Sequence, residues 1–266
     1  MNGSVMKFEK MIVEDLQGEF GEKILLIRHD VDNIFDIYSP NSSKFKKFLN
    51  YLAILSFSKY GFLRSILPGY LHHLWDVLDV EVKYDVKATF FFRVVTAPTM
   101  NLRDALITRG HEIAYHSDRN SRFEDFLLDL KYLERAVKIT VKGFTKHGFS
   151  PVRSGGMWNE KLFISYGVNA GLKYLAQGSG HPDWEVPRKV KGLWVFGHHI
   201  TLKKISLASA EKYVRARALP LILVHPEDLF IKGEMEKFEN VVSRGKCVTF
   251  IELIRVLEKL LREYVR

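Results

Sequence analysis

Short apolar runs alternate along the chain with longer stretches in which apolar residues recur every three or four positions. This is the pattern of a parallel sheet wrapped in helices, an α/β fold. The runs predict strands near residues 23–29, 86–95, 111–117, 138–147, 172–178, 192–200 and 219–226. Several of them, such as "KATFFFRVV" and "LPLILV", are apolar on both faces. Strands read that way when helices cover one side and a barrel interior fills the other. Helix starts are marked as well. Ser121 with Glu124 reads as a capping box before "RFEDFLLDLKYLERAV", and Thr249 with Glu252 as another that opens the C-terminal helix. No repeat or linker interrupts the pattern, so residues 1–266 read as one domain.

The 33–87 connection is too long for a single crossover helix. "KFKKFLNYLAILSFSKYGFLRSIL" and "GYLHHLWDVLDVEVKY" read as two helices separated by Pro68 and Gly69, a helical insertion at about 40–82. The first helix, residues 44–67, is basic and rich in aromatics. Packing on the barrel or on a second subunit in a homodimer is the favoured reading for it. Peripheral contact with a membrane surface is the other. His72 and His73, far from any strand C-terminus, read as structural or solvent-facing.

Composition narrows the function classes. Cys247 is the only cysteine, which excludes an intramolecular disulfide or a multi-cysteine metal site and suits a reducing compartment. The first twenty residues contain no apolar run resembling a secretory signal. No stretch approaches the roughly 18 apolar residues of a membrane span, so a cytoplasmic location is expected. The net charge of +9 is spread along the chain without a nucleic-acid-binding signature. An anionic substrate or an anionic membrane surface accounts for it better than nucleic acid.

Reactive side chains collect at the C-terminal ends of the predicted strands. The first strand runs into "LLIRHDVDN", placing Asp30 and Asp32 on one side of an extended backbone, where they repel unless a cation or proton holds them. The third ends in His116 and Ser117, the fourth in His147, and the last in His225. The sixth carries His198 and His199, of which only one can face inward. In a parallel α/β barrel all these ends share one mouth, where active sites are built. Carboxylates beside neutral imidazoles suit a borderline divalent metal, zinc first. His111, which precedes its strand, reads as structural.

The motifs "LLIRHDVDN", "KYDVKATFFF", "RGHEIAYHS", "VRSGGMW", "LILVHPEDL" and, more loosely, "CVTFIELIRVL" span roughly residues 23–260. In that order they resemble the polysaccharide deacetylases of carbohydrate esterase family four, in the branch with an Asp-x-Asp first motif. The resemblance implies a distorted (β/α) barrel of about seven strands and a metal-dependent deacetylase. By position, Asp30 resembles the general base and Asp32 and His116 resemble metal ligands. Arg153 resembles the arginine that orients the base, His225 the general acid, and Asp183, in "HPDW", the acid that tunes that histidine. Trp158 and Trp184 lie near two of the motifs, as sugar-stacking or buried aromatics.

The chain departs from the family pattern where a second metal-binding histidine is expected four residues after His116, because Asn120 stands there. The third ligand is then Asn120, water, or His147 from the next strand, which also ends at the mouth. The third motif lacks the usual paired prolines, which bears on the shape of the substrate groove. The expected activity is removal of an N-acetyl group from an amino-sugar substrate, such as a nucleotide sugar, a lipid-linked saccharide or a polysaccharide precursor. The alternatives are a carbohydrate-binding barrel whose metal site has eroded at Asn120, or hydrolysis of a cyclic amide or imide.

Overall fold

The computed structural model describes residues 2–40, 42–55, 67–119, 121–147, 159–177, 186–197 and 199–265. Each of the seven expected runs contains a strand: β1 (Ile24–Val31), β2 (Thr89–Phe92), β3 (Glu112–Ser117), β4 (Gly143–Lys146), β5 (Tyr174–Ala176), β7 (Leu193–Phe196) and β9 (Leu221–Val224). They pair in parallel in the order β7-β5-β4-β3-β2-β1-β9. Three further short strands join them. β6 (Arg188–Val190) lies antiparallel to β7, β8 (Ile200–Thr201) extends the other edge beside β9, and β10 (Lys246–Val248) pairs with β1. Among the described residues β6 and β8 end the sheet at opposite edges, so it curls without closing.

The period-two alternation sorts the strand residues into two cores. Leu25, Ile27, Phe90, Phe92, Tyr115 and Phe144 face outward, beneath the surrounding helices. Ile24, Leu26, Phe91, Ala114, Tyr174 and Trp194 face inward. The inner core is closed from below by Phe250, Leu253 and Leu257 of the C-terminal helix and by Ile12 and Leu16 of the N-terminal helix α1 (Asn2–Phe20). Burying each such side chain contributes about 1.5–3 kcal/mol. Gly143 makes room for this filling, since a Cβ there would lie 1.9 Å from the Tyr174 ring.

Between β1 and β2 lie α2 (Lys44–Leu55) and α3 (His73–Lys83). α3 is the ordinary crossover helix. It buries Leu74, Val77 and Leu78, and its Glu81 Oε1 lies 2.8 Å from His29 Nε2 on the outer face of β1. Of the two helices expected in the connection, α2 is therefore the added one; it covers the first part of the helix expected over 44–67, and residues 56–66 lie outside the described residues. His73 is buried and His72 exposed; burial holds the His73 imidazole down at about 4, hence neutral. His111 is structural, accepting a hydrogen bond at Nδ1 from the Ala88 N–H at 3.1 Å.

The sheet is completed by α4 (Met100–Thr108), α5 (Phe123–Val137), α6 (Glu160–Asn169), α7 (Leu207–Ala216), α8 (Glu234–Val242) and α9 (Phe250–Val265). The Thr249 cap is present, with its hydroxyl accepting from Glu252 N–H at 3.2 Å. The Ser121 cap is not. α5 starts at Phe123 after an extended Arg122 with no side-chain cap, one residue later than a Ser121 box requires. Arg122 reaches Asp125 instead, at 3.0 Å.

Inside the barrel, Glu112 accepts hydrogen bonds from the Tyr174 hydroxyl at 2.9 Å, the Thr89 hydroxyl at 3.0 Å and Ile251 N–H at 3.1 Å. Burial nevertheless raises its carboxyl to about 7. A raised folded value means that the native state holds a proton which the unfolded chain has released above its ordinary value of 4.5. Stability should therefore fall as pH rises from about 4.5 to 7, by up to about 3 kcal/mol. Denaturant titrations across that range should show the decline in the wild type and a flatter profile in Glu112→Gln.

Candidate metal centre

The C-terminal ends of β1, β3, β4 and β9 bring the expected side chains to one mouth. Asp30 closes β1 on its inner face, and Asp32 follows two residues on. His116 in β3 pairs in register with Thr145 of β4, and His147 follows β4 directly. The turn into His147 is fixed by its N–H, which donates to Ser117 O at 2.8 Å. His225 follows β9 and leads into a short 3₁₀ helix, Pro226–Phe230.

Three of these side chains converge on one another. Asp32 Oδ1 lies 3.0 Å from His116 Nε2 and 3.0 Å from His147 Nδ1. The two ring nitrogens are themselves 3.0 Å apart. One proton can bridge two facing nitrogens; a cation satisfies both lone pairs and the carboxylate together. The ligand atoms offered by Asp32, His116 and His147 all lie within 4.8 Å of one another. Two imidazoles with a carboxylate are the donor set of a borderline divalent ion, so the residues present fit such a group. His147 thus stands where a third donor is needed. Asn120, Arg153 and Asp183 lie outside the described residues, as do Trp158, Trp184 and His198. His199 is buried, with Nδ1 3.0 Å from Gln177 O.

Electrostatics tie the cluster together. Burial works against the charge on Asp32, but His147 and His116 outweigh it and hold the carboxyl well below the usual range. Burial likewise opposes charge on His147, yet Asp32 raises its imidazole above the ordinary value. Behind His147, Asp118 lies 3.9 Å from Nε2 and is itself held by Arg93 at 2.6 Å. Arg93 also donates to the Asp32 carbonyl at 2.9 Å. A carboxylate behind a ligating histidine fixes ring orientation and raises basicity.

Asp30 is held differently. Arg28, two residues earlier on the same face of β1, donates to both of its oxygens, at 2.7 and 2.6 Å. Both side chains are buried, and the guanidinium also sits 5.2 Å over the Phe91 ring. Burial would raise the Asp30 carboxyl, but the charges of Arg28 and His116 bring it below its ordinary value. Asp30 Oδ2 is 3.6 Å from His116 Nε2, beside the cluster. Removing one member of a buried pair strands the other charge, at a cost of about 3–5 kcal/mol. Arg28→Met should lose that much stability in denaturant unfolding, and Arg28→Met/Asp30→Leu should recover most of it.

His225 approaches from the far side, with Nε2 3.5 Å from Asp32 Oδ2 and Nδ1 3.5 Å from Asp228 Oδ2. Lys203 fixes Asp228 at 2.8 Å. Burial opposes protonation of His225, but Asp228 and then Asp32 override it and raise the imidazole to about 9. Glu227, also buried, accepts a hydrogen bond from the Asn33 side chain. Burial and the Asp32 charge raise its carboxyl to about 8. Asn33 in turn accepts from Asn50 of α2 at 2.6 Å, so the added helix is fastened to the loop that carries Asp32.

Sequence reasoning missed Arg28, Arg93, Asp118, Lys203, Glu227 and Asp228. Arg28 alone had a readable signal, its two-residue spacing from Asp30 on a strand.

No protein-family model matches the chain, and no curated protein matches it. Solved structures do. A protein from Mycobacterium smegmatis assigned as a polysaccharide deacetylase superposes with a TM-score of 0.56 over 90% of this chain and 91% of that one, at 12% identity. Another so assigned, from Pseudomonas aeruginosa PAO1, gives 0.58 over 87% and 89%, at 13% identity. The fold is that of the polysaccharide deacetylases. Identity this low speaks for fold alone. Within the deacetylase fold, the cluster of Asp32, His116 and His147 stands at the strand C-termini, where parallel barrels build their sites.

Proposed function

We propose that the protein is a metal-dependent hydrolase, with zinc its first-choice ion, that removes an N-acetyl group from an amino-sugar-containing substrate. The observation carrying this reading is the convergence of Asp32, His116 and His147, with Asp30 and His225 on either side. A divalent ion held by those three residues would polarise the acyl carbonyl and make water a better nucleophile at neutral pH.

The chain's own groups do the rest. Asp30, kept ionised and aimed by Arg28, accepts the proton of the attacking water. His225, turned by Asp228 at Nδ1, donates from Nε2 to the departing nitrogen, which leaves as a neutral amine. His147 beside Asp32 and His116 weighs against a site eroded at Asn120. Candidate substrates are nucleotide sugars, lipid-linked saccharides and polysaccharide precursors.

The test is acetate release from a panel of N-acetylated amino sugars in free, nucleotide-linked and lipid-linked form. Release that stops on chelation and returns with zinc supports the reading. Glycan binding with no acetate from zinc-loaded protein would overturn it, and ring opening of a cyclic imide would reassign the substrate.

A further inference from the structure

α2 packs Leu49 and Ala53 against Ile34 and Phe35 but turns most of its large hydrophobic side chains outward. Its inner face is secured by Asn50, which accepts from Ile34 N–H at 2.8 Å and donates to Asn33, and by buried Ala53. Its outward face shows Phe45, Phe48 and Tyr51, respectively 67%, 54% and 56% exposed, together with Leu52. These hydrogen bonds fix the rotation of the helix, so the exposed rings are not available to the core. Lys44 and Lys47 stand among the rings, and Lys44–Leu55 contains no acidic residue. α5 shows the ordinary alternative, with Phe126, Leu130 and Leu133 buried and Glu124, Lys131 and Arg135 outside.

We propose that the outward face of α2 is a docking surface for an anionic lipid bilayer. Single exposed hydrophobics are normal, but three aromatics on one helix face need a partner. Charge complementarity selects it. Aromatic rings settle at headgroup level, and flanking lysines without acids are drawn to anionic lipids, all the more in a chain of net charge +9. No helix among the described residues is long and apolar enough to cross a membrane, so the contact is peripheral. Docking through α2, fastened by Asn50 to the loop bearing Asp32, would hold the barrel mouth near the lipid surface. The binding step does not depend on the chemistry proposed above.

The full chain is floated with vesicles of phosphatidylcholine, with and without phosphatidylglycerol, at low and high salt. The wild type should rise with the anionic vesicles at low salt and stay down with phosphatidylcholine alone. Phe45→Ser/Phe48→Ser/Tyr51→Ser and Lys44→Glu/Lys47→Glu should each weaken partitioning by about tenfold or more, with unchanged thermal midpoints. No flotation of the wild type, or equal flotation of folded variants, overturns the proposal. So does a wild-type dimer in sedimentation velocity that the serine variant abolishes, because the face then belongs to a second copy.

Discussion

Asp32→Ala should strip the protein of its divalent ion and lower deacetylation by at least about 10³-fold, the loss of some 4 kcal/mol of transition-state stabilisation. One oxygen of Asp32 faces both His116 Nε2 and His147 Nδ1 at 3.0 Å. Without it, two imidazoles alone must hold a cation, and His147 loses the charge that orients it. Asp32 lies just past the strand and is not part of the packed barrel interior. The variant should therefore keep the native fold and a cooperative unfolding transition, with a midpoint lowered by the lost ion and charge pairs, while metal analysis and acetate release both collapse. A variant that keeps its ion and its rate would remove Asp32 from the site.

His225→Ala should cut turnover by about 10²–10⁴-fold, the usual worth of general acid–base assistance, while the bound metal stays. An amide nitrogen cannot depart as an anion at neutral pH, so losing its proton donor acts on turnover more than on substrate binding. The geometry separates the two roles. His225 approaches Asp32 through the second carboxylate oxygen, at 3.5 Å, opposite the oxygen that meets His116 and His147. Substrates with a good leaving group, such as aryl acetates, should be far less affected, since their departing oxygen needs no proton. If His225→Ala loses its metal instead, His225 is a ligand and the acid must be sought elsewhere.

How far the sequence carried depended on the length and pattern of each element. The seven expected strands were readable because their apolar runs stand out against helical periodicity. β6, β8 and β10 are two or three residues long and too short to show any period. α1 went unread because the first twenty residues of the chain read as polar in bulk; only positions such as Ile12 and Leu16, packed on α9, reveal its inner face. Ser121 matched a capping box in composition, but the helix began one residue later.

At the site, Asp30, Asp32, His116, His147 and His225 were legible as reactive types at strand ends; of the open candidates for a third donor, His147 stands in the cluster, while Asn120 lies outside the described residues. Their supports were not. Asp118 and Asp228 gain meaning only when folding sets them behind His147 and His225, whereas Arg28 carried a signal in its two-residue spacing from Asp30 that went unused. Arg153 and Asp183 stay as expectations from the family pattern.

Calorimetric titration of zinc into metal-free protein tests the central claim most directly. The account predicts one ion per chain, with proton release on binding that grows as pH falls, because Asp32 raises the His147 imidazole above its ordinary value and the ion must displace that proton. It predicts no such site in His147→Ala. A wild type that takes up no zinc, or a His147→Ala variant that binds it as tightly, would contradict the account.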